Sequence, residues 1–152
     1  MSKKNQTPKK IVNRRARYDY ELGDSLIVGL ALSGAETKAL RLGHGQLRGA
    51  YVAVKDNELW LLNAQINSTK GIIISEQDQT RSRKLLAKRR EIKQLIETKQ
   101  EGRTIVPLEI LTQGRYVKLK IAVGRGKKRY DKRETIKRRQ QERDISRTIK
   151  LS

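Results

Sequence analysis

Short apolar runs, some alternating with polar residues and several bounded by glycine, dominate the chain from Ile11 to Val123 and predict a mainly β domain. Ser25 to Leu32 is nearly continuous in apolar character and reads as a strand with little exposed surface. Ser33-Gly34 breaks it, and Ala35 to Arg41 suits a short helix stopped by Gly43. Leu47 to Val54 and Glu58 to Asn63 flank Lys55-Asp56-Asn57, the pattern of a hairpin. The β-branched run Gly71 to Ser75 predicts another strand. Thr104 to Thr112 and Arg115 to Val123 form a second hairpin joined at Gln113-Gly114. In its later strand Val117, Leu119, Ile121 and Val123 alternate with Lys118, Lys120 and Ala122, which sets one face on a core and two lysines on the other. Pro107 marks the earlier strand as an edge or the site of a bulge.

Between the β halves, Leu85, Ile92 and Ile96, with Leu86 and Leu95 beside them, predict one long helix over 81–98. Asp78 or Thr80 would cap its start, and Arg81, Arg83, Lys84, Lys88, Arg89 and Arg90 would crowd its polar surface. Short strands with one long helix give the expected class, mainly β with peripheral helices (α+β), closed or nearly closed as an antiparallel barrel.

After Val123 the pattern fails. Residues 124–152 hold twelve Lys or Arg and four Asp or Glu, and only Tyr130, Ile136, Ile145, Ile149 and Leu151 are large and apolar. The segment buries no core, yet it has good helix formers and would fold if a polyanion neutralised it. The expected organisation is a disordered basic N-terminus over 1–10, a barrel over 11–123 and a conditionally helical basic tail over 124–152. A net charge of +20 and a pI near 10.6 point to nucleic acid. No apolar run reaches the ~20 residues needed to span a bilayer, so a membrane partner is not expected. Cysteine is absent, which excludes disulfides and thiolate metal sites. The first residues carry no hydrophobic stretch, so a cytoplasmic location is expected.

Enzymatic chemistry is poorly provided for. His44 is the single histidine, set in a glycine turn with no orienting partner in the sequence, and no cofactor is expected. The glycines around it lack a phosphate-loop ending. Glu36 reads either as a solvated, salt-bridged glutamate or as a residue that orients a basic side chain toward RNA. Arg14, Arg15 and Arg17 beside Tyr18 and Tyr20 place guanidinium forks next to rings that stack on bases, with at least one tyrosine expected in the core. Trp60 reads as core.

In this order along the chain, four stretches resemble the SsrA-binding protein family, also called small protein B. Asn13 to Tyr20 is similar to the family's Asn-Lys-x-Ala-x-His-x-Tyr opening. Gly29 to Arg41 is similar to its Gly-x-x-Leu-x-Gly-x-Glu-x-Lys-Ser-Leu-Arg stretch. Thr80 to Leu86 with Arg90-Glu91-Ile92 resembles its central helix. Gly126-Lys127-Lys128 with Tyr130-Asp131-Lys132-Arg133 resembles its Gly-Lys-Lys-x-x-Asp-Lys-Arg element.

The resemblance implies an oligonucleotide-binding-type barrel and a monomer that binds tmRNA. With elongation factor Tu, reached through aminoacyl-tmRNA, such a protein serves ribosomes stalled on truncated messages. It would stand in for an anticodon stem, its tail entering the 16S rRNA decoding centre and the vacant mRNA channel. By position, Glu36, Lys38, Arg41, Leu86 and Lys118 would serve tmRNA, joined by Arg14, Arg15, Arg17 and Tyr18 through their phosphate and stacking chemistry. Lys127, Lys128, Tyr130, Asp131, Lys132 and Arg133 would serve the ribosome. Ile27 stands where the family often has an acid, Tyr18 where it often has His, and Gln65 to Ser68 where it has His-Ile-x-Pro-Tyr. The rival expectation is a structural ribosomal protein with a basic extension.

Overall fold

The computed structural model describes residues 10–127, 133 and 136–145. The expected disordered N-terminus therefore lies outside the described residues except for Lys10. The elements in chain order are β1 (Ile11–Val12), α1 (Ala16–Asp19), β2 (Tyr20–Leu30), α2 (Gly34–Arg41), β3 (Gly45–Gln46), β4 (Tyr51–Lys55), β5 (Glu58–Leu62), β6 (Gln65–Ile66), α3 (Glu76–Gln79), β7 (Arg83–Leu86), α4 (Arg89–Gln100), β8 (Thr104–Leu111) and β9 (Lys118–Gly126).

Seven strands form one sheet in the order β1-β8-β9-β2-β7-β5-β4, all antiparallel, with β3 and β6 paired separately. The far strand β4 returns against β8, which curls the sheet into a barrel. Val28, Leu30, Leu59, Leu61, Leu85, Leu119 and Ile121 point inward, and α2 adds Leu40. An aliphatic core without phenylalanine thus fills the interior. Asp56 (φ 52) and Asn57 (φ 59) turn β4 into β5 in the left-handed region, the geometry that suits the twist of a two-residue hairpin. The ladder slips at Pro107, as a residue without an N–H requires, and Asn13 Nδ2 donates to the Pro107 carbonyl at 2.9 Å.

The long helix predicted over 81–98 is instead a strand followed by a shorter helix. In β7, Arg83 and Leu85 are buried while Lys84 and Leu86 face outward, a period of two that the helical spacing of Leu85 and Ile92 obscured. Neither Asp78 nor Thr80 caps α4; its N-cap is Lys88, whose N–H donates to Glu91 Oε1 at 3.2 Å. Ser75 caps the single-turn α3. Arg83 is wholly buried and so leaves the predicted cationic surface.

Gly71 to Ser75 forms no strand. Thr69 and Ile72 make one isolated bridge, closing a tight loop that leaves Ile73 88% exposed. The run from Ser25 is not buried on both faces, since Ile27 is 52% exposed. Tyr18 and Tyr20 are both half-buried and neither enters the core; nor does Trp60, which is half-buried on the outward face of β5 while Leu59 and Leu61 point inward. The connection from β8 to β9 is longer than a two-residue turn and takes in Arg115 and Tyr116. β9 continues past Val123 to Gly126, so the barrel ends later than expected.

Candidate nucleic-acid interface

Register assembles the first cluster. Gly29 in β2 pairs with Leu86 of β7 on one side and Lys118 of β9 on the other, and Ile27 pairs with Lys120. Paired residues of antiparallel strands share a face. Because Val28 and Leu119 point inward, Ile27, Gly29, Leu86, Lys118 and Lys120 all point out. Leu86 is 53% exposed. A Cβ at position 29 would sit 3.0 Å from Leu86 Cβ, so glycine here lets the leucine lie against the β2 backbone. The product is an apolar patch beside two lysines, neither of which makes a side-chain ion pair or hydrogen bond among the described residues. A groove of about 920 Å³ runs from Leu86 along α4 and carries Lys84, Arg89 and Lys93.

Glu36 lies beneath, 1% exposed. The Ser33 hydroxyl accepts the Glu36 N–H at 3.2 Å and Glu36 Oε1 accepts the Ser33 N–H at 2.9 Å, a reciprocal cap that aims the carboxylate inward. Oε1 also accepts from Arg81 Nη2, and Oε2 accepts from Arg83 Nε at 2.5 Å. The other four N–H groups of Arg83 reach the carbonyls of Ala64, Arg81, Asp78 and Gln79, so its full donor set is used. One buried guanidinium thereby ties α2, α3, β7 and the end of β5 together.

Burial by itself would push the Glu36 carboxyl up; hydrogen bonds from Arg81, Ser33 and Arg83 and the charge of Arg83 outweigh it and hold the group below the usual carboxylate range. Burial pulls the Arg83 guanidinium down, against the opposing pull of Glu36. Glu36 is therefore closed off from solvent, its carboxylate engaged by Arg81, Arg83 and Ser33. It fixes Arg81, whose side chain is 35% exposed, at the surface.

The remaining residues of the resemblance separate. Lys38 faces solvent on α2, whereas the Arg41 guanidinium turns onto the β8–β9 connection. Arg14, Arg15, Arg17 and Tyr18 surround α1 at the other end of β2, roughly 30 Å from Gly29 at ~3.3 Å per strand residue. There Arg15 lies 5.3 Å from the Tyr18 ring centroid and 3.6 Å from Asp19 Oδ2. That end is also where the chain leaves the barrel, because Tyr20 pairs with Gly126 and the Lys127 N–H donates to the Asp19 carbonyl at 2.9 Å. Lys128, Tyr130, Asp131 and Lys132 lie outside the described residues, while Arg133 and residues 136–145 are helical. Every residue of 136–145 is exposed, including Ile136 and Ile145.

Sequence reasoning passed over Gly29 as a packing element and Arg81 as a surface cation held by Glu36. A glycine inside a strand pattern and Ser-x-x-Glu ahead of an apolar stretch were the available signals for the two. His44 is half-buried, its backbone bonded to Ala39 and Asn67. Among the described residues no group of three or more His, Cys, Asp or Glu is placed to hold a metal, and no helix is long and apolar enough to cross a membrane.

A family model described as SmpB protein matches residues 10–151. The SsrA-binding protein of Trichormus variabilis is 43% identical over 154 residues, covering 99% of each chain. That of Ligilactobacillus salivarius is 44% identical over 139 residues, covering 91% of this chain and 90% of its own. A solved chain described as "tmRNA-SmpB: a journey to the center of the bacterial ribosome" superposes with a TM-score of 0.65 at 36% identity, covering 84% of this chain and 94% of that one.

Proposed function

This chain belongs to the SmpB family of SsrA-binding proteins, and we propose that it is the tmRNA-binding adaptor of trans-translation. It is an RNA-binding protein and not an enzyme. The observation that carries the reading is the register at Gly29, which gathers Ile27, Leu86 and Lys118 onto one face far from where the tail leaves. The sheet face takes tmRNA, with Leu86 against unstacked bases or sugars and Lys118, Lys120, Lys38 and Arg81 on phosphates. Arg14, Arg15, Arg17 and Tyr18 extend the cationic surface to the root of the tail.

From that root Lys127, Lys128, Tyr130, Asp131, Lys132 and Arg133 lead toward the ribosomal decoding centre, and the tail follows the vacant mRNA channel in place of an anticodon stem. The protein works as a cytoplasmic monomer and meets elongation factor Tu through the aminoacyl-tmRNA it carries.

The reading is tested by Leu86→Asp and Lys118→Glu, both surface changes. Each should weaken binding of a full-length tmRNA transcript by about tenfold or more while the thermal melt stays near wild type. Affinity unchanged in both variants contradicts the placement of tmRNA on this face.

A further inference from the structure

Arg41 falls within the resemblance to an RNA-binding stretch, yet its guanidinium is spent on protein. Nη2 donates to the Arg115 carbonyl at 3.0 Å, and Nη1 reaches the Thr112 carbonyl at 3.5 Å. Both carbonyls belong to the connection between β8 and β9. A rigid fork that bridges two carbonyls of one loop sets the shape of that loop.

The loop presents an unusual pair. Gly114 turns at φ 94, and the Arg115 guanidinium carbon lies 5.6 Å from the Tyr116 ring centroid, within cation–π range. Tyr116 is 66% exposed, although Val117 beside it is buried at 5%. The next residue, Lys118, emerges beside Gly29 and Leu86. An aromatic ring is thus held out of the core, backed by a cation on one face and open to solvent over most of its area. It adjoins the patch described above, in a chain of net charge +20.

We propose that Tyr116 is a stacking site for one unpaired nucleobase of tmRNA, with Arg115 behind the ring and Arg41 as the positioning residue that holds the loop in binding shape. The inference rests on the tmRNA-binding reading and adds Arg115 and Tyr116, which the resemblance does not include. A base has a π-face whatever its identity, so the site binds without reading sequence. Arg115 offers its charge to the adjoining phosphate as well as to the ring. Loop order prepaid by Arg41 lowers the entropy lost on binding. An apolar protein groove is the poorer occupant, because the ring is backed by the Arg115 guanidinium and Lys118 and Lys120 follow it on the outward face of β9, with Glu109 opposite Lys120.

The experiment uses the full chain, a full-length tmRNA transcript and excess bulk tRNA as competitor. Tyr116→Ala should weaken binding by about tenfold, and the dependence of log affinity on log salt should keep its slope, because no phosphate contact is removed. Tyr116→Phe and Tyr116→Trp should bind as wild type does. The emission that Tyr116→Trp adds to that of Trp60 should be quenched by tmRNA. With Arg41→Lys added, that quench should fall while the thermal melt holds, since lysine lacks the planar fork that spans the two carbonyls. Tyr116→Ala binding within about twofold of wild type, or tryptophan emission unmoved by saturating tmRNA, overturns the proposal. A wild-type protein that shows no preference for tmRNA over the competitor overturns the underlying reading as well.

Discussion

Glu36 sits between two costs, its own buried carboxylate and the buried Arg83 guanidinium, whose one ion pair among the described residues is with this carboxylate. Removing one partner of such a pair costs about 3–5 kcal/mol, because the other is left buried and uncompensated. Glu36→Gln should therefore lower stability in urea by about that amount while keeping the side-chain shape. The pH dependence has a definite sign. The carboxyl is depressed in the folded state, so it releases its proton more readily there than in the unfolded chain. Its contribution is complete above the unfolded carboxylate value of about 4.3 and fades as pH falls through the lower folded value. Melting temperature followed from pH 6 down toward pH 3 should show a component in wild type that Glu36→Gln lacks. The sequence offered half of this residue. Its setting three places after Ser33 is a capping-box signature, but the burial of Arg83 depends on β7 pairing with β2 and β5, which no local pattern reveals.

At the scale of elements, β2 decides the interface. Its two neighbours deliver Leu86 and Lys118 to the same glycine from segments far apart in sequence. Gly29→Ala should push Leu86 aside and destabilise the barrel by about 1–3 kcal/mol as an overpacked contact, with a parallel loss of tmRNA affinity; a denaturation curve and a binding isotherm on the same sample measure both. The turn between β4 and β5 is an independent check on register. Asn57→Val forces a β-branched residue to φ near 59 and should cost roughly 1–2 kcal/mol in thermal or chemical unfolding without touching RNA binding. The first hairpin and α2 were legible because periodicity and turn chemistry agree there, whereas the second was legible by periodicity alone, its connection running longer than Gln113-Gly114. Residues 81–98 were not, because Arg83 to Leu86 supplies apolar positions that fit a helix and a strand alike, and cross-strand pairing settled the matter. The isoleucines from Ile72 to Ile74 misled by propensity alone: the loop pins them through Ser68 Oγ, which donates to the Ile72 carbonyl at 3.0 Å and accepts the Ile74 N–H at 3.3 Å.

The whole molecule has two working ends on one strand. The platform around Gly29 lies at one end of β2, and the root of the tail lies at the other, where Lys127 is tied to Asp19. The sequence marked both sets of residues as cationic but gave no distance between them, so it grouped Arg14, Arg15 and Arg17 with Leu86 and Lys118. On the proposed reading the two ends have separable duties, the barrel holding tmRNA and the segment beyond Lys127 serving the ribosome. The direct measurement is the affinity of a chain ending at Lys127 for full-length tmRNA, near 150 mM salt and with excess bulk tRNA to absorb nonspecific charge. The account predicts affinity within about threefold of the full chain, since screened nonspecific contacts are all that the tail adds to tmRNA. A loss of about tenfold or more would contradict it, because specific tmRNA contacts would then lie in the tail itself.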